Sequence, residues 1–191
     1  RLAELPVIAA GTLTSGYSWL FVANGCVGGP AFTDELEQLA CGDTYTPRAP
    51  TLSASLVRMS RTSRYDGLGL QVVHASVATP PVSVRSAPLL GSDAGAFLID
   101  GIEPGEIQPR RARTDMTRAG WGAGLQGWRL EVIESGSLIY AEPWTSAIER
   151  GVAGPLEEGK NYVVVLLGPR LDVRSAGFWN GPAITVVASD P

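Results

Sequence analysis

Lysine is almost missing from this chain of 191 residues: Lys160 stands alone, and arginine carries the remaining positive charge. With a net charge of −4 and no dense basic cluster, the chain lacks what a phosphate backbone requires, which excludes nucleic acid as an expected partner. The preference for arginine reads as a GC-rich coding bias. Histidine is nearly as scarce. His74 is the only one, so a zinc site built from His and Cys is excluded, and no cofactor-binding pattern is present. Long apolar runs are lacking too. The longest strictly apolar stretch, Tyr162 to Leu167, falls far short of the roughly 20 residues a membrane span needs. The chain opens on Arg1 without a signal peptide, which reads as a processed or trimmed product and fits export.

What the chain has is β composition: Val, Thr and aromatic residues in short runs, punctuated by 23 Gly and 14 Pro. The length allows one large or two small domains with a core of their own. The segment Gly11-Thr-Leu-Thr-Ser-Gly-Tyr-Ser-Trp-Leu-Phe-Val-Ala-Asn-Gly25 reappears in outline as Gly154-Pro-Leu-Glu-Glu-Gly-Lys-Asn-Tyr-Val-Val-Val-Leu-Leu-Gly168. Gly11/Gly154, Leu13/Leu156, Gly16/Gly159, Val22/Val165 and Gly25/Gly168 coincide, and Trp19 matches Tyr162. Both copies read as a glycine turn feeding a buried strand. The alternative is a common turn-strand pattern repeated by chance. The second copy closes a long unit that starts near Tyr65, whereas the first stands close to Arg1. Residues 1–64 therefore read as the second half of a unit whose first half is missing, with unpaired strand edges.

The expected fold is all-β: antiparallel β-sandwich units, immunoglobulin-like or transthyretin-like, with one short helix near 33–39. A partial unit spans 1–64 and a sandwich 65–191, with the polar stretch Ser60–Gly67 as boundary. Strands are expected at 18–23, 51–59, 68–75, 82–85, 97–99, 128–134, 138–140, 162–167 and 184–188, with Gly or Pro at nearly every gap. In 51–59 the apolar set is read at Leu52, Ala54, Leu56 and Arg58 against Ser53, Ser55, Val57 and Met59, an alternation whose two faces are not clean. The stretch 101–127 holds no good strand and reads as a long surface excursion. Cys26 and Cys41 flank the loop after the first strand. A disulfide there contributes on the order of 3 kcal/mol by chain entropy and implies an oxidising compartment; two free buried thiols are the alternative.

Leu70-Gln-Val-Val-His-Ala-Ser76, then Thr79-Pro-Pro-Val-Ser-Val-Arg85, resembles the "VRVVHAS, then PAVDVYV" signature of the bacterial domain-of-unknown-function family 4397. Trp128-Arg-Leu-Glu-Val-Ile133 and Pro155-Leu-Glu-Glu-Gly-Lys-Asn-Tyr-Val-Val-Val-Leu-Leu-Gly168 are similar to its later strands. The resemblance covers about 68–188. The family's aspartate is Ser83 here, and 101–127 has no counterpart in it. It implies an exported, cell-surface or envelope β-sandwich, often in tandem copies, with no established activity and no catalytic residues to carry over.

His74, inside an apolar strand, reads as a hydrogen-bonded structural residue rather than a base or ligand, because nucleophilic catalysis would need a neighbouring Ser or Cys and an orienting carboxylate. Asp93, Asp100 and Glu103 offer oxygens of the type calcium takes, but not at EF-hand spacing, and read as solvated turn carboxylates. Arg110, Arg111, Arg113 and Arg118, near Asp115 and Trp121, suit an anionic glycan or an acidic partner, or a solvated loop. The N-terminal arm carries Leu2, Leu5, Val7 and Ile8 without a nearby partner strand. Three functional classes result. The first is a non-catalytic structural or adhesive module of the exterior or envelope. The second is a self-assembling fibre or lattice subunit in which the arm adds a strand to a neighbour. The third is a carbohydrate-active enzyme, although no carboxylate pair carries its signature. The first leads, and it makes the protein non-enzymatic with no catalytic, metal or cofactor residues.

Overall fold

Short β-branched runs divided by Gly and Pro become ten strands in the computed structural model, which describes residues 8–26, 39, 41–42, 44–46, 48–49, 51–61, 67–76, 78–90, 95–113, 125–151, 155–168 and 183–189. The strands are β1 (Ser18–Asn24), β2 (Ser53–Met59), β3 (Gly69–His74), β4 (Val82–Pro88), β5 (Ala96–Ile102), β6 (Ile107–Arg113), β7 (Trp128–Glu134), β8 (Ser137–Pro143), β9 (Asn161–Leu167) and β10 (Ala183–Ala188). They form three sheets, ordered β1-β2, β10-β9-β3-β6 and β5-β4-β7-β8. The fold is all-β sandwich, as its composition requires. Within the central sheet β3 and β9 pair in parallel, and the other neighbours are antiparallel.

The central sheet is covered on both faces, and its sequence explains how. A strand flanked by two apolar layers needs an almost unbroken apolar run. In β9 alternate residues serve different layers. Tyr162, Val164 and Leu166 join Leu70, Val72, Ile184 and Val186 against Val84, Leu130 and Val132 of the β5-β4-β7-β8 sheet. Val163 and Val165, with Val73 and Val187, pack instead against Leu20, Val22, Val57 and Met59 of β1–β2. Each such side chain, fully buried, contributes about 1.5–3 kcal/mol.

The helix that closes the sandwich is α1, Trp144–Gly151. Trp144, Ala147, Ile148 and Gly151 fall at the spacing of one helical face. Trp144 and Ala147 are fully buried, and the Trp144 indole N–H donates to Ser86 Oγ at 2.8 Å. At Gly151 a Cβ would lie 2.2 Å from the Val186 carbonyl oxygen, so only glycine lets the helix end this close to β10. The edge of β10 is thereby blocked: Ile184 N donates to Glu142 Oε2 at 2.9 Å, and Arg150 donates to the Ile184 carbonyl and pairs with Glu142.

Three expectations are corrected. The stretch 101–127 is not strandless, because β5 runs to Ile102 and β6 occupies 107–113 beside β3. Pro109 and the arginines hid β6, yet a proline is tolerated where one side of the backbone is unpaired, and β6 is an edge strand. In β2 the buried residues are Val57 and Met59, while Arg58 is exposed, because that face meets the central sheet. Trp19 is only half-buried whereas Tyr162 is buried, so the two matched aromatics differ in environment. The helix expected near 33–39 lies outside the described residues except for Leu39.

Candidate functional site

His74 lies at the end of β3 with no solvent exposure, and its ring Nε2 is 3.0 Å from the Pro80 carbonyl oxygen. As that oxygen can only accept, Nε2 carries the hydrogen and Nδ1, which is shut from solvent, makes no bond. Burial holds its pKa below the usual 6.5, against the raising effect of the Pro80 and Thr79 backbone and of Glu103. The ring thus sits as a neutral strut under the Thr79-Pro80-Pro81 turn. Beside that turn an open cleft of about 480 Å³ is lined by Cys41, Thr44, Thr51, Thr79 and Pro104. Cys26 and Cys41 stand at disulfide-bonding distance, with Cα atoms 5.5 Å apart. Thr51 ties this corner to the sheet: its hydroxyl donates to the Cys41 carbonyl at 3.1 Å and accepts from Cys26 N at 3.2 Å.

Some of the other ionisable groups link strands. Glu131 is almost fully buried beneath Arg85 and Arg129, which both pair with it. Burial opposes its charge, but the two guanidinium groups outweigh that and hold its carboxyl below the usual range. Asp100 is exposed and accepts from Ser83 Oγ at 2.6 Å; Glu103 is exposed, and Asp93 lies outside the described residues. Among the described residues no three His, Cys, Asp or Glu side chains gather as a metal site requires. Of the arginine group, Arg110, Arg111 and Arg113 belong to β6, with Arg110 exposed, and Arg118 lies outside the described residues. Leu2, Leu5 and Val7 also lie outside them, and Ile8 is exposed. Among the described residues no helix is long and apolar enough to cross a membrane.

The surface that stands out is the outer face of β1–β2. Phe21 is 46% exposed there, beside half-buried Trp19, Ala54 and Leu56. The Trp19 indole N–H finds no hydrogen-bond partner. Tyr17 and Arg58 close one end, with the guanidinium 4.5 Å from the ring centroid. The outer face of β4 and β7 is different: it carries Ser83, Arg85, Arg129 and Glu131. Among the described residues β1 has no neighbour on the side away from β2. Sequence reading found the β1 strand and the suspicion of an open edge, but missed the apolar outer face because β2 was assigned no clean faces.

Comparison of the chain with protein-family models, with curated proteins and with solved structures finds no match.

Proposed function

We propose that this chain is a non-catalytic β-sandwich module with a structural or adhesive role in the exterior or envelope of a bacterial cell. The carrying observation is an all-β framework, cross-linked at Cys26–Cys41, that presents an apolar strand pair whose β1 edge has no neighbour among the described residues. The resemblance of 68–188 to family 4397 supports the same reading, as does the neutral buried His74. Treating intact cells with a non-permeant protease and assaying thiols in the denatured, unreduced protein tests it. Digestion without lysis and the absence of free thiols are expected. Protection until lysis, together with two reactive cysteines, overturns it.

The β1 edge, without a neighbour among the described residues, favours a second reading, a self-assembling subunit in which Leu2, Leu5, Val7 and Ile8 of one copy add as a strand to another. Size-exclusion chromatography separates the two readings. Polymers that become monomers on removal of residues 1–10 favour assembly, and a monomer at high concentration leaves the module reading alone.

A further inference from the structure

The pair β1–β2 matches β9–β10 in its flanking glycine turns and in the alternation of its faces, and this correspondence assigns a partner. The registers superpose position for position: Trp19↔Arg58 falls on Tyr162↔Ala188, Leu20↔Val57 on Val163↔Val187, Val22↔Ser55 on Val165↔Thr185, and Asn24↔Ser53 on Leu167↔Ala183. The preceding turns agree, with Gly16 and Gly159 both at positive φ (84° and 81°), and so do the residues after the strands, Gly25 and Gly168 (88° and 111°). The inner faces agree as well. Leu20, Val22 and Val57 share one hydrophobic cluster with their counterparts Val163, Val165 and Val187, so the inner faces of both pairs serve the same layer.

The copies part company on the other two surfaces. The face of β9–β10 formed by Tyr162, Val164, Leu166, Ile184 and Val186 is an established interface, covered by the β5-β4-β7-β8 sheet. Its counterpart is Trp19, Phe21, Ala23, Ala54 and Leu56, a face on which Phe21 and Ala23 are exposed and the others only half-buried. The free edge of β9 pairs in parallel with β3, from Gly69↔Asn161 to His74↔Leu166. Its counterpart on β1 has no neighbour among the described residues. One chain therefore shows both what the strand pair needs and, among the described residues, a place where it is lacking.

We infer that β1–β2 completes a second sandwich with a half-unit supplied by another polypeptide, of the kind formed here by β3 to β8. Its first strand runs parallel to β1 and carries a near-continuous apolar run like Leu70-Gln-Val-Val-His-Ala75. By the β3–β9 register, the residue equivalent to Leu70 lies beside Trp19 and that equivalent to Val72 beside Phe21. The following sheet then covers Phe21 and Leu56. This deepens the module reading and rests on it only for the biological purpose of the joint. An added parallel strand satisfies the backbone groups of β1, and the covering sheet removes its apolar face from water.

The test keeps the chain intact and fuses a copy of residues 68–153 ahead of Arg1, so that residues 1–10 act as a linker. The added segment is expected to resist protease and to slow amide exchange in β1 at least tenfold relative to the unfused chain. Phe21→Asp, at a solvent-facing site, is expected to leave the three sheets folded while releasing the added segment to protease. A fusion with a scrambled 68–153 segment is expected to give no protection. Rapid digestion of the native-sequence segment from a folded chain, equal protection by the scrambled one, or unchanged β1 exchange overturns the inference. None of these outcomes bears on cell-surface exposure or thiol state, so failure here is distinguishable from failure of the module reading.

Discussion

The strand pair β9–β10 is buried between two layers, whereas β1–β2, with the same register and turns, is buried on one side only. The sequence difference follows the environment. Val163-Val-Val-Leu-Leu167 is apolar at every position, while Ala23, Asn24, Ser53 and Ser55 dilute the other pair. Yet Phe21 and Leu56 remain apolar on the uncovered side, where solvent alone would favour polar residues. The difference separates what holds the fold together from what is available for contact: the face shared by both copies is the internal joint, and the face that differs is the candidate joint with another molecule.

The largest effect should come from placing the same charge at two matched sites. Val164→Asp puts an unpaired carboxylate in the two-sided core and should cost more than about 4 kcal/mol, enough to leave the chain unfolded in a denaturant titration. Phe21→Asp, at the equivalent position of β1, should cost less than about 1 kcal/mol. Equal losses would mean that the β1–β2 outer face is already covered, and the comparison would fail.

Next comes the cross-link. Replacing Cys26 and Cys41 by Ser should lower stability by about 3 kcal/mol in the chain-entropy account. Because Cys26 follows β1 directly and Leu52 N donates to its carbonyl at 3.0 Å, hydrogen exchange should quicken in β1–β2 more than in β9–β10. A uniform acceleration would show that both pairs open as one unit. A smaller effect is expected at the blocked edge. Glu142→Ala leaves the buried Ile184 N–H without its acceptor and should cost about 1–3 kcal/mol in urea unfolding, with exchange quickening in β10 but not in β2.

Much of this architecture was legible because period and punctuation agreed. Tyr162-Val-Val-Val-Leu-Leu167 between glycines admits little but a buried strand, and the Thr79-Pro80-Pro81 turn separates β3 from β4 as expected. Two elements escaped for physical reasons. In β6, Pro109 and three arginines are acceptable only because an edge strand needs one bonded side, a tertiary fact that local propensity does not carry. In α1, the spacing of Trp144, Ala147 and Ile148 was present, but β8 and Pro143 immediately before it masked the change of period. The candidate surface was half legible. The shared glycines exposed the match of β1 to β9, whereas Ser53–Arg58 and Ala183–Ala188 share only an apolar pattern and are matched through the strands they pair with.

The smallest effect, and the one that belongs to the complete sheet alone, is the pH response of His74. Its strand, β3, pairs with β9 in the place where β1 has no neighbour among the described residues, so this titration marks the β9–β10 side of the comparison. Burial lowers the folded-state pKa beneath 6.5, which means that the unfolded chain binds the proton more readily. Stability is therefore full above about pH 6.5 and declines as pH falls below it, by at most about 1.4 kcal/mol per pH unit for one proton. His74→Gln removes that proton while retaining a side-chain donor toward the Pro80 carbonyl, so its stability should be flatter between pH 7 and 5, whatever its absolute value. Phe21→Asp should leave the His74 slope intact, since the two sites lie on opposite sides of the comparison. Parallel pH profiles for wild type and His74→Gln would show that the ring is not the titrating group, and an altered His74 slope in Phe21→Asp would couple the two halves that the comparison separates.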